Sequence, residues 1–130
     1  MPVGELQMDA SNFRVLELNE ALDRVGGDLD LLREVAELFL RDSPKMMAAV
    51  KTACAAGDAP ALARAAHNLK GCVGTFCADQ AFDAAQALEA AGRNEDLSAA
   101  VGDLFRLAAA IEALTPELSA LAGGASEEPA

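Results

Sequence analysis

Apolar residues recur three or four positions apart in four successive stretches of this chain, and this spacing constrains the fold more than any other feature. The first long stretch carries Leu29, Leu32, Val35, Ala36 and Phe39. Most apolar residues are alanine or leucine, the best helix formers, whereas tyrosine and tryptophan are absent and β-branched residues are sparse. The chain is therefore predicted to be all-α.

The first two predicted helices lie on either side of a double glycine at positions 26–27. Asn19 can cap a short helix over roughly residues 20–25, which the two glycines then end. Asp28 can cap a longer helix, which we expect to end at Gly57. The pattern thus predicts one short and one long helix in this part of the chain.

Three further helices follow. Asp58 is a good N-cap for a helix that runs to about Phe76, with a proline tolerated in its first turn. Asp79 caps the next helix, which is expected to end at Gly92, and the last helix begins near Glu95.

Prolines mark two expected interruptions. Pro44, after Ser43, should kink or break the first long helix, and Pro116 should interrupt the last. The apolar stripe predicted for the last helix consists of Leu97, Val101, Leu104, Ala108 and Ile111, with Leu107 and Leu114 beside it.

Four long amphipathic helices joined by short turns bury their stripes best as an antiparallel four-helix bundle, here with a short additional N-terminal helix. We expect the bundle to occupy residues 19–122. An arm of residues 1–18 precedes it, and residues 123–130 form a tail whose composition favours disorder.

The charge balance excludes two classes of partner. Ten basic and 21 acidic residues give a formal charge of −11, which repels nucleic acid and anionic membranes. The chain has neither a long apolar run nor a signal peptide, and its three cysteines are best explained as small buried thiols in a reducing compartment. We expect a cytoplasmic monomer.

His67 is the only histidine in the chain, and it lies within a helix. At roughly 100° per residue it falls about 140° away from Leu62 on the buried stripe, so it should point outward. The residues predicted to share its outer face are small or cyclic: Pro60, Ala63, Gly71 and Gly74. Arg64 and Lys70 place a cation on either side of the ring.

This arrangement suits transient phosphorylation of the imidazole. A neutral imidazole is a competent nucleophile at pH 7, and phosphoryl transfer depends mainly on positioning and nearby positive charge. Lys70 can supply that charge, and the glycines can supply access for a partner. The alternative is that a lone surface histidine with small neighbours is an accident of the alanine-rich composition.

The segment AAHNLKG (65–71), followed by Gly74, closely resembles the signature of histidine phosphotransfer (HPt) domains. Residues 26–44, 55–58 and 87–89 resemble the corresponding family segments, so that the resemblance covers roughly residues 17–114. One departure is visible, because Cys77 stands where many members have glycine. We expect that change to affect packing more than transfer.

The resemblance implies a four-helix bundle whose histidine accepts a phosphoryl group from the aspartyl phosphate of a response-regulator receiver domain and passes it on. It makes His67 the phosphoacceptor, Lys70 the phosphate-stabilising cation and Gly71 the residue that leaves room for the partner. The docking surface would include Pro60, Ala63, Arg64 and Gly74. A histidine kinase or hybrid kinase would act upstream. The chain needs no cofactor of its own, and Mg²⁺ is expected on the receiver.

Other functions remain open at this point. The domain could be the phosphoacceptor domain of a chemotaxis-type histidine kinase. It cannot be the ATP-using kinase itself, because the sequence lacks a glycine-rich nucleotide-binding motif. It could also dock on a receiver without transferring phosphate. A metal-binding bundle has little support, because such sites need several inward-facing ligands.

Overall fold

The structure, a computed structural model, describes the backbone of residues 17–127 and the side chains of residues 17–123. The described residues form five helices and no strand: α1 Leu18–Arg24, α2 Leu29–Ala56, α3 Ala59–Thr75, α4 Asp79–Asn94 and α5 Ala100–Glu127. Short turns connect the four long helices, α2, α3, α4 and α5, in chain order. Each of these helices packs on two others, which closes the bundle. The predicted all-α four-helix bundle with a short extra N-terminal helix is confirmed. Residues 1–16 of the predicted arm lie outside the described residues.

A single core fills the bundle. Its largest fully buried side chains are Phe76, Leu32, Leu62, Leu69, Leu88, Leu107, Leu114, Leu118, Val50 and Val73. The rings of Phe39 and Phe76 lie 5.8 Å apart between centroids and link α2 to the end of α3. Burial of apolar surface from all four long helices holds the bundle together.

Two aspartates cap helices as predicted. The backbone N–H of Leu31 donates to Asp28 Oδ1 at 3.1 Å, and that of Ala61 donates to Asp58 Oδ1 at 3.1 Å. Gly57 ends α2 in the left-handed conformation, with φ +66°. These signals succeed because each acts within one turn of the chain.

The predicted cap of α1 is wrong. The helix begins at Leu18, so Asn19 lies inside it, and the N-cap residue Glu17 makes no side-chain cap. The N–H of Glu17 instead donates to the carbonyl of Phe76 at 3.3 Å. A contact with the end of α3 therefore sets where α1 begins.

The predicted boundaries of α4 and α5 also need correction. Ala78, not Asp79, is the N-cap of α4, and the helix passes Gly92 before it ends at a left-handed Glu95. The start of α5 is Ala100 rather than Glu95.

A turn between α4 and α5 explains the late start of α5. Asp96 Oδ1 accepts hydrogen bonds from the N–H of Ser98 at 3.1 Å and from its hydroxyl at 2.7 Å. Such an aspartate turn competes with the first turn of a helix.

Neither proline interrupts its helix, which corrects both predictions. Pro44 lies inside a continuous α2 and Pro116 inside a continuous α5. A proline removes a helical hydrogen bond and costs roughly 3 kcal/mol. In α5, Leu114 and Leu118 are fully buried on either side of the proline. An unbroken helix keeps both on the core, and this burial offsets the cost of the proline.

The predicted stripe of α5 is rotated relative to the observed one. Val101 is 61% exposed, whereas Leu107 and Leu114, expected beside the stripe, are fully buried. The predicted stripe starts at Leu97, which precedes the helix. The helical spacing counted from that residue therefore does not match the face that α5 buries. The helix also extends to Glu127, so the first five residues of the predicted tail are helical.

Cys77 adopts a left-handed φ of +54°, a conformation that favours glycine. Its buried sulfur accepts a hydrogen bond from Arg24 Nε at 3.1 Å. The other cysteines, Cys54 and Cys72, are partly buried, and burial raises the pKa of the Cys72 thiol. The left-handed backbone at position 77 agrees with the expectation that glycine suits this position, and the contact with Arg24 makes the residue part of the packing of α1.

Candidate functional site

His67 lies in the middle of α3, a helix that is fixed by the Asp58 cap and by a fully buried stripe. That stripe consists of Leu62, Ala66, Leu69 and Val73. The side chain of His67 is 59% exposed. The helix therefore presents the imidazole at the surface while its opposite face is anchored in the core.

Glu89 is the centre of the site. It lies on α4 and is only 4% exposed. Its Oε2 is 3.1 Å from His67 Nδ1 and 2.5 Å from a guanidinium nitrogen of Arg93, and its Oε1 is 2.8 Å from Lys70 Nζ. We refer to these four residues as the Glu89 cluster.

The neighbours of Glu89 keep its carboxyl group ionised. The hydrogen bond from Lys70 is the largest cause of a lowered pKa, and burial opposes it. The hydrogen bond from His67 and the charges of Lys70 and Arg93 lower the pKa further. Glu89 is therefore a carboxylate at neutral pH.

A carboxylate accepts hydrogen bonds but cannot donate one, and this fixes the tautomer of His67. Nδ1 must carry the proton and donate a hydrogen bond to Glu89 Oε2. In the neutral ring the lone pair then lies on Nε2. The geometry therefore places the free lone pair of this exposed imidazole on Nε2.

The Glu89 cluster is locally positive within an acidic protein. Two permanent cations, Lys70 and Arg93, share one carboxylate, which leaves one unit of positive charge beside the imidazole. The whole chain carries −11. An anionic group held on His67 would meet a favourable local potential.

The other predicted site residues divide into two groups. Gly71 is open, because a Cβ there would meet nothing within 4 Å, and Pro60 and Arg64 are exposed. Gly74 and Ala63 lie against α4 instead, which corrects the expectation of a bare face.

Gly74 faces Phe82 and Ala63 faces Gly92, both on α4. A Cβ at Gly74 would lie 3.5 Å from the ring of Phe82, and the backbone of Ala63 approaches Gly92 closely. The projection of α3 alone could not show that α4 covers this side. Lys70 also lies near α4, with Nζ 5.8 Å from the centroid of the Phe82 ring.

A groove of about 470 Å³ runs between α2 and α3 beside the histidine. His67 and Gly71 line it from α3, and Val35, Leu38 and Asp42 line it from α2. The α2 wall is partly apolar because Val35 and Leu38 lie on it, and Leu38 is 48% exposed. None of the residues predicted for the docking surface lies on α2.

Glu89 and Arg93 were also missed as site residues. A signal for Glu89 was present, since the helical spacing of Ala85, Leu88 and Gly92 places position 89 on the buried side of α4. A buried carboxylate needs a partner, and the sequence offers Glu89 one at i+4, Arg93. Glu89 has further partners on α3. Which residues of α3 it meets depends on the packing of two helices.

Among the residues that the structure describes, no three histidine, cysteine, aspartate or glutamate side chains could hold a metal ion together. In the same residues, no helix combines the length and the apolar character needed to cross a membrane.

A sequence model of the Hpt domain family matches residues 34–117. The match spans the whole of α3 and all four members of the Glu89 cluster. No curated protein and no solved structure matches the chain.

Proposed function

The chain belongs to the Hpt domain family and so has a histidine phosphotransfer role in phosphorelays, and we propose that His67 is its phosphoacceptor. In this proposal His67 takes a phosphoryl group from the aspartyl phosphate of one receiver domain and passes it to another. The observation that carries the assignment is the contact between His67 Nδ1 and Glu89 Oε2. It supports an unprotonated Nε2 on an exposed ring.

The transfer needs no proton to move. The Nε2 lone pair attacks phosphorus and forms the N–P bond, while the P–O bond to the aspartate breaks and its electron pair leaves on the carboxylate. The imidazole, which keeps its proton on Nδ1, becomes cationic. Glu89 accepts the hydrogen bond from that N–H and stabilises the positive charge. In the reverse direction the same contact holds the ring in place.

Two cations can stabilise the phosphoryl group. The ammonium of Lys70 has three N–H donors and the guanidinium of Arg93 has five, so both keep free donors while they contact Glu89. Phosphoryl transfer spreads charge over the equatorial oxygens, where such donors act. We assign Lys70 to this role and expect Mg²⁺ to be held by the receiver.

Access for the receiver is expected along the open side of α3. Gly71 leaves space one turn after His67, and the groove beside it has partly apolar walls from α2. Pro60 and Arg64 are exposed on the same helix and complete the proposed docking surface. Ala63 and Gly74 lie on the side of α3 that faces α4, at the edge of this surface.

The test is to mix the protein with a receiver domain labelled on its aspartate. A label that is acid-labile and alkali-stable should appear on the wild-type protein, as expected for phosphohistidine, and His67→Gln should show none. Transfer that persists in His67→Gln would contradict the assignment. A wild-type complex that forms without any label would instead support a docking module.

A further inference from the structure

The backbones of α3 and α4 approach each other closely at Gly92, which is buried. A Cβ built there would lie 2.6 Å from the carbonyl oxygen of Ala59, 2.6 Å from the backbone nitrogen of Ala63 and 3.0 Å from its Cα. All three are backbone atoms of α3, so no side chain can rotate away. A side chain at position 92 would push the two helices apart.

This approach lies directly beside the Glu89 cluster. On α4, Gly92 is three residues after Glu89, and on α3, Ala63 is four residues before His67. Residues three or four apart are neighbours on one helix face. The backbone contact is therefore one turn away from the contacts that Glu89 makes with His67 and Lys70 of α3.

We propose that Gly92 is a positioning residue for phosphotransfer. By letting α4 lie against the backbone of α3, it sets the distance at which Glu89 reaches His67 and Lys70. The proposal rests on the assignment of His67 as phosphoacceptor for its functional consequence. Its structural part, the effect on the His67 tautomer, stands independently of any transfer.

The distances show how sensitive the arrangement is. Carbon atoms pack at about 3.5–4.0 Å, so a methyl group at position 92 requires a shift of roughly 1 Å. The contact of 3.1 Å between His67 Nδ1 and Glu89 Oε2 would then exceed hydrogen-bonding distance. Arg93 lies on the same helix as Glu89 and would move with it, so Glu89 would keep Arg93 and lose His67.

Helix propensity alone predicts that Gly92→Ala stabilises the protein. A glycine inside a helix costs about 1 kcal/mol relative to alanine, so Gly→Ala stabilises a helix where space allows. Gly102 on α5 provides the matched control, because a Cβ there would meet nothing within 4 Å. Gly102→Ala tests propensity alone, and Gly92→Ala tests propensity together with the helix approach.

The experiment uses ¹⁵N NMR of the imidazole in the full chain. Because His67 is the only histidine, its ring signals need no assignment. The wild type and Gly102→Ala should show the Nδ1–H tautomer, and folded Gly92→Ala should show a mixture of tautomers. Ile111→Val, which removes a core methylene on α5, controls for general loss of stability and should keep the wild-type tautomer.

Transfer from a phosphorylated receiver should slow by about 100-fold in Gly92→Ala, the loss typical of a 1 Å displacement. A folded Gly92→Ala protein with the wild-type tautomer and rate would overturn the proposal. Should Gly92→Ala fail to fold, the substitution is repeated in a Gly102→Ala background. Failure there as well would overturn it, because Gly92 would then determine folding rather than position. Loss of transfer in the wild type would contradict the phosphoacceptor assignment but leave the tautomer result intact.

Discussion

Glu89 couples the ionisation of the site to the stability of the fold. Its pKa is lowered in the folded protein from an ordinary value of 4.5, chiefly by the hydrogen bond from Lys70. A lowered folded-state pKa gives stability that is present above about pH 4.5 and is lost as the pH falls through the folded-state pKa. Acid should therefore remove part of the stability through this one residue.

We predict that Glu89→Gln lowers the free energy of unfolding by about 1–3 kcal/mol at pH 7, because two cations lose their carboxylate. Below pH 4.5 the difference from wild type should shrink. Urea denaturation at a series of pH values measures both effects, with the exposed Glu112→Gln as control. A constant difference between pH 7 and pH 3 would contradict the role of the charge.

Gly71 tests access to the imidazole. We predict that Gly71→Leu folds normally, because the position is open, and slows transfer strongly by blocking the approach of the receiver. Gly102→Leu places the same side chain at an open position on α5 and should transfer at the wild-type rate. Circular dichroism checks the fold, and rapid-quench assays measure the rate. Equal rates in the two variants would show that the open face beside His67 plays no part.

For single residues, the amino-acid pattern predicts exposure within one helix but not contacts between helices. The exposure of His67 could be predicted, because it depends on the position of one residue around α3. The role of Glu89 could not, because it depends on how α4 is aligned with α3. The same limit explains Gly74, which is outward on α3 alone but lies against Phe82 of α4.

Single elements follow local signals wherever the signal acts within one turn. The caps at Asp28 and Asp58 and the stop at Gly57 are of this kind. Pro44 and Pro116 show the limit, since burial on both sides keeps their helices intact. The start of α1 fails for a related reason, because a hydrogen bond to the carbonyl of Phe76 decides it.

The C-cap residue of α4 adopts a strained backbone conformation. Glu95 ends the helix in the left-handed conformation, with φ +56°, where an L-residue with a side chain is strained. Glu95→Gly should raise the free energy of unfolding by about 1 kcal/mol, because glycine adopts this conformation freely. Glu95→Ala keeps the strain and serves as the control for loss of the charge. Thermal denaturation measures both, and a gain in Glu95→Ala equal to that in Glu95→Gly would contradict the explanation.

The whole bundle is needed to build the site. The proposed nucleophile, His67, lies on α3, Glu89, which fixes its tautomer, lies on α4, and α2 supplies one wall of the groove. Composition and periodicity predict the bundle, because four amphipathic helices have few other ways to bury their stripes. They do not predict distances between helices, and those distances determine the chemistry of His67.

The position of the N–P bond in the phosphorylated protein tests the proposed role of His67 and Glu89 most sharply. NMR of protein labelled with ¹⁵N and phosphorylated by a receiver can identify which imidazole nitrogen carries phosphorus. We predict phosphorylation of His67 at Nε2, because Nδ1 carries the proton and donates a hydrogen bond to Glu89. A phosphoryl group on Nδ1, or on any residue other than His67, would contradict it.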